Sequence, residues 1–225
     1  MHPFTLHRSR TILHTALSSD SSLIPSPSSD TVVNTYLALG DSYTIGQSVV
    51  ETERFPNQVA QLLRSAGIKI SDPKIVAKTG WTTGNLINAL NINPPQTDYS
   101  LVSLLIGVNN QYQGRSIEEY KTEFSFLLNQ AIQFAANKKA NVFVLSIPDY
   151  SVTPFASNSN KEKIAHEIDE FNSVNEEISS KLGVNYLDIT GISREASDDP
   201  SLIADDGLHL LVNNIKNGQS CLHHK

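Results

Sequence analysis

The 225-residue chain has one cysteine, one tryptophan and one methionine. The single thiol, Cys221, excludes an internal disulfide framework and any cysteine-rich zinc site. No run of 18 or more apolar residues occurs, so the sequence predicts no transmembrane helix. Lys and Arg total 17 against 23 Asp and Glu, a formal charge of −6. No region has the basic density that tracks a phosphate backbone, so nucleic-acid binding is set aside. What is present is apolar. Hydrophobic residues make up 39% of the chain, enough for a core and too many for a mostly disordered protein. The length fits one domain, with room for an appendage.

Residues 1–30 read as that appendage. Seven of the twelve residues from Ser18 to Ser29 are serine, with Pro25 and Pro27 among them. Such a composition buries too little to offset its ordering entropy. Upstream, Arg8 and Arg10 precede a short apolar run that faintly resembles an export signal, but His14 interrupts it and no A-x-A site follows. A disordered extension is therefore expected over 1–30, with a weak export signal as the alternative, and the compartment stays open. One domain is expected over 31–225, of which 210–225 reads as an atypical tail.

From residue 31 the pattern becomes regular. Short β-branched or leucine-rich runs fall at Thr35–Leu39, Ile75–Ala77, Leu101–Ile106, Asn141–Ser146 and Tyr186–Ile189. The third and fourth are nearly continuous apolar runs, as strands buried on both faces are. Helical patterns alternate with them. One opens at Pro56, carries Val59, Leu62, Leu63 and Ala66 on one stripe, and closes at Gly67. A shorter one covers Gly84–Leu90. Ser116 with Glu119, and Ser159 with Glu162, form capping-box patterns before two long amphipathic segments, the second of which stops at Gly183. Strand–helix alternation of this kind predicts an α/β fold, a three-layer α/β/α sandwich on a five-stranded parallel sheet of flavodoxin-like type. Ligands of such sheets sit beyond the carboxyl ends of the strands.

Those ends carry chemistry. Gly40-Asp41-Ser42-Tyr43 follows the first strand, Thr79-Gly80-Trp81 the second, and Gly107-Val108-Asn109-Asn110 the third. Asp206-Gly207-Leu208-His209 lies in the last long loop. A hydroxyl, a glycine amide, a side-chain amide and an Asp/His pair thus share one rim of the predicted sheet. Each has an ordinary structural use: a turn or N-cap serine, a turn glycine, a loop asparagine bonding its own backbone, a surface histidine.

The segments LALGDSY, TGWTTGN, IGVNN and DGLH resemble, in order and spacing over roughly residues 34–209, the first, second, third and fifth blocks of the SGNH (GDSL) hydrolase family. The resemblance implies a serine esterase or lipase-like hydrolase. Ser42 is then the nucleophile, His209 its general base and Asp206 the acid that orients His209, with Asp205 as the alternative acid. The Ser42 and Gly80 backbone N–H groups and the Asn109 side chain are the implied oxyanion donors. His209 is preferred among seven histidines because it follows the fifth strand and has an acid three residues before it. His2, His7 and His14 lie in the extension, His223 and His224 in the tail, and His166 on a helix face turned to solvent. Asp41 is expected to hold the turn. Trp81 either lines the substrate pocket or packs in the core, and Tyr43 has no assigned role. No metal and no organic cofactor are required.

Two positions depart from the family pattern. Asn110 stands where the family usually has aspartate. His209 is followed by Leu210 rather than proline, and only 16 residues remain after it, without a convincing amphipathic helix. A catalytically impaired relative lacking its closing helix is therefore one alternative reading. A flavodoxin-like phosphate- or flavin-binding protein is another, opposed by Asp41 and by the absence of Lys or Arg in the first loop. The expected partner is a small-molecule ester. The absence of a long lid or lipid-binding helix favours small or soluble esters, with the acyl group and oligomeric state left open.

Overall fold

A computed structural model describes residues 33–211. The predicted extension and the tail from residue 212 onward, Cys221 included, lie outside the described residues. Five strands form one sheet: β1 (Tyr36–Gly40), β2 (Lys74–Ala77), β3 (Leu101–Leu105), β4 (Val142–Leu145) and β5 (Asn185–Leu187). Their order is β2-β1-β3-β4-β5 and every pairing is parallel. This is the flavodoxin-like three-layer arrangement expected from the alternation of patterns.

Seven α-helices connect and extend the strands: α1 (Ser42–Ile45), α2 (Phe55–Ser65), α3 (Thr83–Ile92), α4 (Val108–Tyr112), α5 (Ile117–Phe134), α6 (Lys161–Leu182) and α7 (Thr190–Arg194). Ser116 caps α5 by accepting from the Glu119 N–H at 3.1 Å. The start of α6 is one residue later than its capping pattern predicts. Asn160 Oδ1 accepts from Lys163 N at 2.9 Å, while Ser159 N donates to Ala156 O and closes the preceding turn. Two adjacent cap formers compete there, and the one not already committed to a turn takes the helix. α1, α4 and α7 span four or five residues, too few to leave a periodicity in the sequence.

The pleat divides the sheet into two faces. Leu37, Leu39, Val102, Leu104, Val142 and Val144 face one side and share a core with Leu86 and Leu90 of α3, Phe124, Leu127 and Leu128 of α5, and Ile168 and Phe171 of α6. On the other side, Tyr36 and Ala38 of β1 pack with Ala60 of α2 and with Ile70. Burying a leucine or phenylalanine side chain fully stabilises by about 1.5–3 kcal/mol. The larger cluster therefore dominates the energetics and fixes the strand ends from which the site is built. Among the described residues no helix is long and apolar enough to cross a membrane, and no group of three or more His, Cys, Asp or Glu residues is placed to hold a metal ion.

Candidate active site

The corner that carries Ser42 begins where β1 stops. A Cβ at Gly40 would overlap Thr44 Oγ1 and the Leu105 carbonyl, so only glycine lets α1 fold back across the strand end. Asp41 is buried and caps α1, its Oδ1 accepting from Tyr43 N at 3.0 Å. Burial pushes the Asp41 carboxyl up to about 7, against the lowering effect of hydrogen bonds from the Tyr43 amide and its own. Asp41 thus holds the turn. Ser42 is the first residue of α1 and is buried at the base of a cleft.

The second loop is tied to the first and third. Thr79 donates its hydroxyl to Gln47 Oε1. Thr82 and Asn85 form a reciprocal capping box that starts α3. Asn110, the departure from the family pattern, is fully buried. Its Oδ1 accepts from Thr83 N at 3.0 Å and its Nδ2 donates to Thr83 Oγ1 at 2.6 Å, while Thr83 Oγ1 also donates to Glu123. Asn110 therefore pins the start of α3 to the loop after β3, and an amide suits this because it both accepts and donates. Gly80 has φ 78° with open space where a Cβ would sit, so its backbone angle is what requires glycine there.

Three donors are left over. Among the described residues the backbone N–H groups of Ser42 and Gly80 have no acceptor. Asn109 Nδ2 donates one hydrogen to the Trp81 carbonyl at 3.0 Å, which orients the amide and leaves its second N–H uncommitted. The Trp81 ring packs against the large core cluster and is not among the residues lining the cleft. The Trp81 carbonyl is the partner of Asn109.

Asp206 and His209 lie on a tightly bonded loop. Asp206 Oδ2 meets His209 Nδ1 at 2.6 Å, and Asp206 Oδ1 accepts from the Leu208 and His209 amides at 3.0 Å each. An acid at Nδ1 favours a proton on that nitrogen, and in the neutral ring this leaves Nε2 as the accepting nitrogen. Burial raises the Asp206 carboxyl. The hydrogen bonds from the His209 amide and ring, the Ser48 hydroxyl and the Leu208 amide outweigh it and hold the group well below the usual carboxylate range. Asp205 is exposed, and among the described residues it pairs with no histidine. The loop is closed by Ala204 N to His209 O and Leu211 N to Leu202 O, both 2.7 Å, and by Phe155 N to Gly207 O at 3.0 Å.

The structure does not bring every expected partner together. No hydrogen bond joins Ser42 to His209, and His209 Nε2 is buried without a partner among the described residues. The Tyr43 ring lies against the His209 ring, centroids 4.9 Å apart and planes inclined at 56°. Catalytic hydrogen bonds often tighten only when substrate is bound.

Sequence reasoning missed four residues. Ser48 adopts φ 61°, uncommon for a residue with a side chain, and helps to lower the Asp206 carboxyl. Tyr112, Tyr150 and Phe155 line the cleft with Ser42, Tyr43, Val108, Asn109 and Leu208. Tyr112 lies far in sequence from Tyr150 and Phe155, and none of the three belongs to a periodic pattern. The cleft holds about 80 Å³, far below the roughly 300–1,000 Å³ of sites that swallow drug-sized ligands.

The GDSL-like lipase/acylhydrolase family model matches residues 38–212. No curated protein sequence matches the chain significantly. Among solved structures, the SGNH-hydrolase family esterase AlinE4 superposes with a TM-score of 0.59 at 20% identity, covering 82% of this chain and 90% of its own. The psychrotrophic esterase EstA from Pseudoalteromonas sp., in a structure inhibited by monoethylphosphonate, gives 0.57 at 18% identity, covering 79% and 87%. The acetylxylan esterase Axe2 from Geobacillus stearothermophilus gives 0.59 at 18% identity, covering 79% and 86%. At these identities the likeness is one of fold.

Proposed function

The chain belongs to the GDSL-like lipase/acylhydrolase family, and from that premise we propose that it is a carboxylic ester hydrolase working through an acyl-enzyme on Ser42. The observation that carries the proposal is the 2.6 Å Asp206–His209 pair, whose ring lies against Tyr43, the residue next to Ser42, and whose buried Nε2 has no partner among the described residues. His209 Nε2 takes the Ser42 proton as Oγ attacks the ester carbonyl. Asp206 keeps its charge and stabilises the imidazolium. The Ser42 and Gly80 amides and the free Asn109 N–H receive the oxyanion, each such donor typically contributing ~2.7–4 kcal/mol to the barrier reduction. His209 returns the proton to the leaving alcohol. Water then repeats the sequence and releases the acid. Every step is acid–base and nucleophilic chemistry on these side chains. The small cleft favours short acyl groups.

A p-nitrophenyl ester series of rising acyl length, with Ser42→Ala as control, tests this reading. The expected result is a maximum at acetate or propionate that vanishes in the variant. A maximum at long chains removes the short-acyl assignment, and turnover that survives Ser42→Ala removes the mechanism. An impaired relative is disfavoured by the loop from Leu202 to Leu211, whose own hydrogen bonds hold Asp206 and His209 together.

A further inference from the structure

α4 carries Asn109 and is five residues long. A helix that short is not stable alone, because its first turn fixes several residues for one hydrogen bond, so its place is set from outside. Its cap does not set it: Gly107 has no side chain to accept from the first turn. Three consecutive side chains hold it instead. Asn109 donates to the Trp81 carbonyl and Asn110 exchanges two bonds with Thr83, both on the β2 side of β3. Gln111 reaches the other way. Its Nε2 donates to Glu167 Oε2 on α6 at 2.8 Å, and its Oε1 accepts from the Tyr150 hydroxyl, in the loop after β4, at 2.9 Å.

The Gln111 amide is buried with both ends committed. A carboxylate only accepts, so Glu167 fixes which way the amide points: Nε2 toward Glu167, Oε1 toward the Tyr150 hydroxyl. Packing alone does not call for an amide there, since an apolar side chain of similar length fills the same space. What the amide adds is direction. A buried polar group is costly unless bonded, so α4 is stable only where Gln111 meets both partners at once. Among the described residues Gln111 is the side chain of α4 that is hydrogen-bonded on the β4 side.

That brace bears on the chemistry through Asn109, two residues away. The Trp81 carbonyl orients the Asn109 amide, but where α4 lies sets how far its free N–H stands from the oxyanion. Such donors act at about 2.7–3.1 Å, and a misplacement of about 1 Å can cost on the order of 10²-fold in rate. We propose that Gln111 is a positioning residue: it braces α4 against Glu167 and Tyr150 and so holds the free N–H of Asn109 at the oxyanion. Gln111 itself does not line the cleft. The proposal rests on the ester-hydrolase reading and adds to it a residue outside the reacting groups.

A double-mutant cycle on p-nitrophenyl acetate hydrolysis tests it. Gln111→Met nearly keeps the length of the side chain and removes both bonds. It lowers kcat about ten- to hundredfold and leaves KM within about twofold. In an Asn109→Ala background the same substitution changes kcat by less than about twofold, because the N–H that it positions is gone. Glu167→Ala cuts the brace from its outer end, at a side chain 33% exposed, and carries the same cycle if Gln111→Met does not fold. Its kcat loss is about three- to tenfold and also disappears without Asn109. Equal losses of kcat in the two backgrounds overturn the proposal, since Gln111 then acts on the fold and not through Asn109. A rise in KM at constant kcat overturns it as well, because the effect then runs through Tyr150 and the cleft wall. In both cases Ser42-dependent hydrolysis by the wild-type protein leaves the esterase reading standing. Folded wild-type protein without such hydrolysis overturns that reading, and this proposal with it.

Discussion

β1, from which Ser42 projects, has a strand on each side, whereas the segment carrying His209 pairs with no strand of the sheet. Asp41 and Ser42 inherit their position from the sheet: a buried strand, a glycine that admits the helix, a buried cap, and loops tied to one another through Asn110, Thr83 and Thr79. Asp206 and His209 inherit theirs from about ten residues of loop, held by one antiparallel bridge between Ile203 and Leu210 and a few short hydrogen bonds. A base on a locally held loop can adjust to the substrate, and the absence of a Ser42–His209 hydrogen bond fits that difference. The Ser42 corner is built by long-range packing and the Asp206–His209 corner mainly by short-range bonding.

The sharpest way to break this comparison is at the reacting atoms. Ser42→Ala and His209→Ala should each lower kcat by between about 10⁴- and 10⁶-fold in an ester assay, with unchanged circular dichroism. Equal activity in either variant would mean that the two corners do not act as a unit. Asp206→Asn should cost about 10⁴-fold, because an amide at Asp206 no longer fixes the proton on His209 Nδ1. A loss under tenfold would show that the loop orients His209 without its acid. Asn109→Ala, on the sheet-built side, should cost about 10²- to 10³-fold in kcat with little change in KM, since its free N–H acts on the oxyanion alone.

Smaller effects probe the supports. Asp41 binds its proton more tightly folded, up to about 7, than unfolded near the ordinary 3.8, so its proton stays on in the native state while the unfolded chain releases it. Between about pH 4 and 7 this lowers stability as pH rises, by roughly 1.4 kcal/mol per pH unit for that group. Asp41→Asn preserves a capping side chain and should flatten that slope in urea titrations. Asp206 has the opposite sign. Its hydrogen bonds stabilise the fold above the unfolded carboxylate range and that contribution fades as pH falls below it. In native-state hydrogen exchange, amides of β1 and β3 should exchange near the global limit, and those of residues 203–211 through smaller openings. Equal protection in the two regions would erase the distinction drawn between them.

The same difference explains what was legible in the sequence. β3 announces itself as an apolar run because both its faces are buried, β4 does so with one face buried and the other half-buried, and α5 and α6 are long enough to show a stripe. The four blocks at the strand ends are local words, and Ser42, Gly80, Asn109, Asp206 and His209 could be picked out from them. Relations between distant residues left no such trace. Nothing in Ser48 announces an influence on Asp206, 158 positions later. Tyr43, without a role in the sequence, lies against His209, and Tyr112, Tyr150 and Phe155 converge only because the loops after β3 and β4 share a rim. Trp81, a lone tryptophan beside a site glycine, invites a pocket role, yet its ring had room in the core and its carbonyl a use in holding Asn109.

Labelling with a fluorophosphonate probe tests the central claim most directly, because the probe bonds only to a serine whose proton a neighbouring base removes. The account predicts one equivalent of label on the peptide containing Ser42, lost in Ser42→Ala and strongly slowed in Asp206→Asn. Folded wild-type protein that takes up no label, or a label carried on any other serine, would contradict it.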